Sequence, residues 1–280
     1  MTYSIVARDP ETGELGVAVQ SQAFNTGAAV PWARPGIGAI ATQSFTDRRY
    51  GWRGLQLLDH GEAPDGALEL LRADDDQQEF RQVGIIDSDG RVAQFIGANC
   101  VPAAGQARGA DWAAQGNMLA SDDAWHRMGA AFEQKEGSLA QRLLAALDAA
   151  EATGGDWRGR GGAAVLVVPA SGSPWERVID LRVEEGDDSL VELRRLVNRA
   201  EAYRAANRAE HDRADVARAG GLPAAHVRWL AFLDAATAGD VAEARRLLGE
   251  LEQDQPRYRG LVRAFAQHPE MPPLDEILAE

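Results

Sequence analysis

Pairs of short β-type runs joined by tight turns constrain the fold of this chain more than any other feature of its sequence. Tyr3–Arg8 and Leu15–Gln20 flank DPETGE, whose Pro, Asp and Gly residues favour a turn. Gln82–Asp87 and Arg91–Ile96 flank a second turn, which contains Gly90. Because connections this short join antiparallel strands, the sequence predicts two β-hairpins in place of βαβ crossovers.

Helical and β-type segments alternate around these hairpins. Apolar residues recur at helical spacing between Tyr50 and Ala73 and again over Leu139–Ala152. Ser121, followed by two aspartates, predicts the start of another helix. Further strands are predicted at Gly38–Gln43, Trp112–Leu119, the continuously apolar AAVLVVP segment and Arg177–Val183. This order predicts an α+β protein in which stacked antiparallel sheets are covered by helices.

The character of the chain changes near Ser189, after which no β-type run follows. Residues 191–220 are so polar that they predict a solvated helical connector, and residues 221–280 contain three amphipathic helical segments. One such unit is too short to establish a tetratricopeptide-like repeat. The sequence therefore predicts a sandwich domain at 1–190, a connector at 191–220 and a helical module at 221–280.

Composition excludes several classes of partner and chemistry. The 280 residues carry a net charge of −14, which disfavours nucleic acid as a partner. The chain has no apolar run of bilayer length and no secretory leader, so we expect a cytoplasmic protein without a membrane partner. Cys100 is the single cysteine, which excludes an internal disulfide, and Lys135 is the single lysine. Any lysine-based mechanism would therefore depend on Lys135, at an exposed helix end.

Thr2 is the first candidate for catalysis. A small residue after the initiator methionine normally permits removal of Met1, which would leave Thr2 with a free α-amino group. The unperturbed pKa of such an amine is about 7.7–8.0, close to the value that a general base needs at neutral pH. Hydroxyl nucleophile and base would then belong to one residue.

The strand that begins at Thr2, its turn and the following GVAVQSQ resemble the opening of N-terminal nucleophile (Ntn) hydrolases. The similarity to one Ntn-hydrolase-like bacterial family, DUF1028, is closer and covers about Thr2–Val183. The segments that carry it occur in the family's order: SIVARDPETGELGVAV, PWARPGIGAIATQ, YGWRGLQLL, RQVGIIDSDGRVAQFIG, QGNMLA and GGDWRGR.

The resemblance implies a four-layer αββα sandwich, here followed by a helical appendage, and hydrolysis of a small amide or peptide-like bond by Thr2. It implies oxyanion donors at Gly116 and Asn117, in a turn that enters a helix. Ser21 matches a polar partner of the amine, and Asp156 matches an aspartate that orients it. Further candidates for binding the substrate or the oxyanion lie in the same motifs: Arg34, Gln43 and Arg160.

Other chemistries find little support in the sequence. The five histidines are scattered, and none is spaced from another histidine or from Cys100 as metal ligands are, so we expect no metal and no cofactor. Two alternatives to a hydrolase remain open. The sandwich could hold a metabolite without catalysis, or the C-terminal helices could act as a scaffold through self-association. In related chains the extra C-terminal segment is sometimes called a peptidoglycan-binding domain, a label that the helical spacing here does not itself support.

Overall fold

The structure, a computed structural model, describes residues 2–269 and 271–279. Its strands are β1 (Thr2–Arg8), β2 (Leu15–Ser21), β3 (Pro31–Arg34), β4 (Gly38–Ser44), β5 (Arg81–Asp87), β6 (Val92–Ile96), β7 (Gly105–Gly109), β8 (Trp112–Asn117), β9 (Gly162–Val168) and β10 (Ile179–Val183). Its helices are α1 (Arg49–Asp59), α2 (Pro64–Ala73), α3 (Ala124–Gln134), α4 (Leu139–Glu151), α5 (Ser189–Arg208), α6 (Arg213–Ala219), α7 (Ala224–Thr237), α8 (Val241–Asp254), α9 (Tyr258–Phe265) and α10 (Asp275–Leu278). The chain divides into a sandwich unit (Met1–Val197) and a helical unit (Asn198–Glu280).

The strands form two antiparallel sheets. One sheet has the order β10-β9-β2-β1-β8-β7, and the other has the order β3-β4-β5-β6. Both predicted hairpins are present, because β1 pairs with β2 and β5 pairs with β6. The predicted α+β class with stacked antiparallel sheets is confirmed.

Helices cover both outer faces of the stacked sheets. Val6, Val17 and Ile86 belong to an apolar core formed by both sheets. Helices α1 and α2 pack on the outer face of the four-stranded sheet, where Leu55 and Leu68 join a second core. Helices α3 and α4 contact the six-stranded sheet. The layers therefore follow the order α, β, β, α.

Two short strands, β3 and β7, are absent from the sequence-based prediction. Each lies at the edge of its sheet. Strand β3 begins with Pro31, which an edge strand tolerates because one side of it needs no ladder hydrogen bond. Strand β7 is only partly buried and contains two glycines, so it lacks the apolar alternation that marks a strand in sequence.

Alternation along β1 determines which side chains face the second sheet. Val6 lies in the core between the sheets, and Ser4 Oγ donates a hydrogen bond to Gln43 of β4 at 2.6 Å. Thr2 therefore points the same way, because side chains two residues apart share a face. Tyr3 points to the opposite face, where its hydroxyl donates to Glu151 of α4 at 2.8 Å. The space between the sheets thus changes from apolar to polar as β1 is followed back to Thr2.

The helical unit has apolar clusters of its own. Phe232, Leu248 and Val262 belong to one of them. The polar segment before it is mostly exposed or half-buried, but Ala206 and Ala217 are fully buried in a second cluster. Their small side chains let α6 pack closely although most neighbouring residues are polar. None of the described helices is long and apolar enough to cross a bilayer.

Candidate functional site

A cleft of about 510 Å³ opens at the end of the sandwich where β1 begins. Because β1 is antiparallel to both of its neighbours, its first residue lies beside their last ones: Thr2 pairs with Ser21 of β2 and with Asn117 of β8. All three residues line the cleft. The structure therefore brings together three of the four catalytic candidates predicted from the sequence.

Thr2 is held from its side chain and from its main chain. Its Oγ1 donates a hydrogen bond to Ser21 Oγ at 3.1 Å, and its carbonyl oxygen accepts from Gln43 Nε2 at 3.1 Å. Ser21 Oγ also accepts from the Ala23 amide at 3.1 Å, which fixes the turn after β2. The Thr2 residue is 9% exposed, so only a small part of it faces the cleft.

Gln82 connects these groups, and sequence reasoning missed it. Its Oε1 accepts hydrogen bonds from Gln43 Nε2 at 2.8 Å and from Asn117 Nδ2 at 2.9 Å. Its Nε2 donates to the carbonyl oxygens of Gly116 and Gly105 at 2.8 and 3.1 Å. The signal was present in RQVGIID, where Gln82 shares the inward face of β5 with Ile86. A polar residue in the inward phase of an apolar strand indicates a buried network.

The predicted Gly-Asn turn is instead the end of strand β8. Gly116 lies opposite Tyr3 of β1 and Gly105 of β7, and it does not line the cleft. A Cβ at this position would come within 2.4 Å of Leu119 Cδ1, so this face of β8 is packed. Of the two predicted oxyanion donors, Asn117 alone faces the cleft.

Asp156 lies beneath the cleft and not on its surface. It is buried, and one carboxylate oxygen accepts from the Gln22 amide at 2.9 Å, while the other accepts from the Arg158 amide at 2.9 Å. It also forms an isolated β-bridge with Leu119. Asp156 thus ties together the loops that follow β2, β8 and α4, and its partner Arg158 lines the cleft.

Neither Gln43, which holds Thr2 through its main chain, nor Arg34 belongs to the cleft lining. Arg34 forms an ion pair with Asp59 at 2.8 Å and sits opposite Gly38, the first residue of β4. Gln43 lies near the other end of β4, about 17 Å away at the usual rise per residue. Arg34 and Gln43 are far apart because the motif that contains both residues spans the whole length of the sheet.

Arg160 also lies outside the cleft lining. Its guanidinium contacts Glu151 at 2.5 Å and Asp188 at 3.0 Å. Glu151 in turn accepts the hydroxyl hydrogen of Tyr3, and burial together with this carboxylate raises the pKa of Tyr3 well above its usual range. Arg160 therefore supports the residue next to Thr2 from the α4 side and has no direct contact with the cleft.

Backbone strain is concentrated around the cleft. Asn25, Ser44 and Met118 have φ values of 56°, 70° and 55°, in the left-handed region that glycine favours, and all three line the cleft. For a serine or methionine this conformation costs about 1–2 kcal/mol. Strain of this kind is typical of functional sites, where the surrounding structure fixes an unfavourable conformation.

Among the residues that the structure describes, the charged side chains at the cleft are those of two arginines that no sequence motif singled out, Arg48 and Arg158. Cys100, next to the lining residue Val101, is buried, and this burial raises the pKa of its thiol. Within residues 2–269 and 271–279, no group of three or more His, Cys, Asp or Glu side chains is placed to hold a metal ion. The chemistry that this cleft offers is that of hydroxyl, amide and guanidinium groups.

Comparison with known proteins places the chain in a family. A sequence model of DUF1028, described as a family of unknown function, matches residues 2–193. The crystal structure of SPO2555 from Silicibacter pomeroyi, also matched to DUF1028, is 30% identical with a TM-score of 0.66, over 78% of this chain and 93% of that one. No curated protein is similar to this chain.

A second solved structure has a lower similarity. Anbu, an ancestral β-subunit from Yersinia bercovieri, is 14% identical with a TM-score of 0.33, over 70% of this chain and 92% of that one. The family assignment does not depend on it. From the match over residues 2–193 and the similarity to SPO2555, we conclude that the chain belongs to the DUF1028 family.

Proposed function

We propose that this protein is an N-terminal nucleophile amidohydrolase that cleaves a small amide or peptide-like bond, with Thr2 as its nucleophile after removal of Met1. One observation carries the proposal. The Thr2 hydroxyl lies at a cleft of about 510 Å³ while Ser21 and Gln43 hold the residue from both sides. Met1 lies outside the described residues, so its removal is part of the proposal.

The first step would be attack of Thr2 Oγ1 on the carbonyl carbon of the substrate. The free α-amine of Thr2 would accept the hydroxyl proton and later pass it to the departing amine, leaving an ester between Thr2 and the acyl group. Attack of water on this ester, with the same amine as base, would release the acid and restore Thr2. The ordinary pKa of an α-amine, about 7.7–8.0, suits this role near neutral pH.

Asn117 is the proposed donor to the oxyanion that this attack creates. One N–H of its Nδ2 group is used by Gln82, and the second has no hydrogen-bond partner among the described residues. The side chain is 1% exposed, and Gln82 fixes its orientation. A fixed donor of this kind stabilises developing negative charge without reorganisation. Ser21 would orient the Thr2 hydroxyl, and Asp156 would act as a positioning residue through the loop after β2.

A catalytically silent protein that binds a metabolite in the same cleft is the second candidate. It is favoured by the absence of a lysine near Thr2, since Lys135 is the single lysine of the chain. Arg8 and Arg34 do not supply the missing charge, because they pair with Asp111 and Asp59. Both candidates use one cleft, and the state of Met1 separates them.

The test begins with the intact mass of the purified protein, which we expect to match a chain that starts at Thr2. The processed protein is then assayed against N-acetylated amino-acid amides and short peptides. Thr2→Ala should lower kcat/KM by about 10³-fold or more, because it removes the nucleophile. Thr12→Ala is the matched control: it removes a threonine hydroxyl from the turn of the same hairpin.

Quantitative retention of Met1 would reject the hydrolase, because an acylated nitrogen cannot serve as the base. Equal activity of the wild type and Thr2→Ala would reject it as well. Thermal unfolding of each variant checks that the loss of activity is not a loss of fold.

A further inference from the structure

The charge of the cleft at Thr2 is opposite to that of the protein. The chain has a net charge of −14, but the charged side chains that line this cleft are the guanidinium groups of Arg48 and Arg158. Among the described residues, no aspartate or glutamate lines it. A positive cleft on a negative protein concentrates small anions and repels cations.

Arg48 is available to a ligand. It belongs to the segment RRYGWR, which contains three arginines at the start of α1. Arg49 pairs with Asp47 at 2.6 Å, and Arg53 pairs with Asp74 at 2.8 Å. The Arg48 guanidinium forms no hydrogen bond or ion pair with any other described residue, and of the three it is the one that lines the cleft.

Arg158 contributes less net charge. Its Nη2 lies 3.2 Å from Asp156 Oδ2, and its Nε donates to the other oxygen of the same carboxylate at 3.3 Å. Asp156 is buried behind the cleft and offsets this charge. With the α-amine of Thr2 in the neutral form that serves as base, the two guanidiniums and one carboxylate leave about one positive charge facing the ligand. This balance suits a single carboxylate better than a phosphate dianion.

The rim of the cleft offers apolar surface next to this charge. Phe24 and Phe45 line the cleft and are 68% and 56% exposed. Exposed aromatic side chains at the mouth of a cleft can bury the apolar part of a ligand.

We infer that the cleft recognises an N-acylated amino acid or short peptide through its free carboxylate, which Arg48 binds, while Phe24 and Phe45 contact an apolar side chain. The inference rests on the proposed function for the amide bond that such a ligand would present to Thr2. Binding of the carboxylate by Arg48 does not depend on catalysis. A planar guanidinium binds a carboxylate through two parallel hydrogen bonds.

The test uses two probes that differ in one charge: N-acetylphenylalanine and N-acetylphenylalaninamide. Binding is measured by titration calorimetry in the full chain carrying Thr2→Ala, so that neither probe is turned over. We expect the acid to bind at least about tenfold more tightly than the amide, which is the usual contribution of a charged hydrogen bond.

Arg48→Gln should remove most of this preference, and Arg48→Glu should reverse it. Arg53→Gln is the matched control, since it removes the same charge from the same helix outside the cleft and should keep the preference. Arg158→Gln is less informative, because it also removes the charged partner of the buried Asp156, which then keeps only its backbone amide donors. Inorganic phosphate and acetate, tested as competitors, separate the two kinds of anion.

The inference would be overturned if the acid and the amide bound equally, if the acid showed no saturable binding at millimolar concentration, or if the preference survived Arg48→Gln. Stronger competition by phosphate than by acetate would overturn the assignment to a carboxylate. Selective binding of the acid without hydrolysis by Met-processed protein would support the inference and reject the hydrolase. Hydrolysis at equal kcat/KM for free-acid and amide-capped forms of one substrate would support the hydrolase and overturn the inference.

Discussion

The sandwich unit and the helical unit each contain a cleft of similar size, about 510 Å³ in the first and about 480 Å³ in the second. Their walls differ in charge. In the sandwich unit the charged lining residues are two arginines. The helical unit's cleft is lined by Arg218, His211 and six carboxylates: Glu210, Asp212, Asp215, Asp234, Asp240 and Glu243.

The partners of these groups explain the difference. In the helical unit, Asp234 pairs with Arg213, Asp240 caps α8 by accepting from the Glu243 amide, and Glu243 pairs with Arg246. These are the uses of charge that helix ends and helix surfaces require. In the sandwich unit, the buried uncharged side chains of Ser21 and Gln82 form hydrogen bonds that orient Thr2 and Asn117 at the cleft. The charges of the helical unit's cleft are thus accounted for by helix capping and by ion pairs on helix surfaces. Helix capping does not account for the buried polar groups at the cleft of the sandwich unit.

The strongest test of this contrast is Gln82→Met. The variant removes four hydrogen bonds, those from Gln43 and Asn117 to Gln82 and those from Gln82 to the carbonyls of Gly105 and Gly116, and we expect a loss of about 3 kcal/mol in the free energy of unfolding. Urea denaturation measures it. Gln94→Met is the control, because Gln94 crosses between the same sheets with a single hydrogen bond to Ala114. Equal losses in the two variants would contradict the central role of Gln82.

The second test concerns a buried carboxylate of the sandwich unit. Hydrogen bonds from Arg81, the Gln77 amide and Tyr50 hold the pKa of Asp75 at about 2, below its ordinary value of 3.8. Because the folded pKa is depressed, the unfolded chain takes up this proton first as the pH falls. The resulting stability is present above about pH 4 and is lost between pH 4 and pH 2.

This loss should amount to about 2 kcal/mol. It is measured as the decrease, from pH 6 to pH 2, of the stability difference between the wild type and Asp75→Asn. A difference that does not change with pH would contradict the depressed pKa.

The third test concerns strain at the cleft. Ser44→Gly removes the cost of a left-handed serine, but it increases the freedom of the unfolded chain and removes a long hydrogen bond, 3.5 Å, from the Val101 amide, so we expect a net stabilisation of about 0.5 kcal/mol. Asp212→Gly is the matched change in the helical unit, where φ is 59°. Aspartate tolerates this conformation better than serine does, so Asp212→Gly should stabilise the protein less than Ser44→Gly. Thermal unfolding compares the two, and a destabilised Ser44→Gly would show that the site stores no strain there.

The smallest effect is expected in the helical unit. Glu243→Gln removes an exposed ion pair with Arg246 from the wall of the acidic cleft, and we expect no measurable change in Tm. A clear loss of stability would show that the acidic cleft depends on this pair.

The sequence is sufficient to predict the hairpins, and antiparallel pairing within the first hairpin brings Ser21 beside Thr2. Asn117 was implied by the family resemblance, because no local pattern shows that β8 pairs with β1. Period-two alternation could also have separated Asn117 from Gly116, since adjacent residues on a strand face opposite ways. The places of Gln82, Arg48 and Arg158 depend on how two sheets and three loops pack. No local pattern in the sequence encodes that packing.

The division of the chain into regions at 1–190, 191–220 and 221–280 stays a prediction, as do the catalytic roles of individual residues. The structure describes the first unit to Val197, within helix α5. A helix that runs through a boundary carries no turn or composition signal at that point.

The pairing of β1 also determines when the site can form during synthesis. Thr2 is made among the first residues, but its partner Asn117 follows about 115 residues later, and β9, which pairs with β2, follows later still. At ordinary rates of translation, roughly ten seconds therefore pass between the synthesis of β1 and that of β8. An aminopeptidase can reach an unpaired strand during that interval, whereas Thr2 in the folded protein is 9% exposed. The removal proposed for Met1 thus competes with folding, and the late synthesis of β8 favours removal.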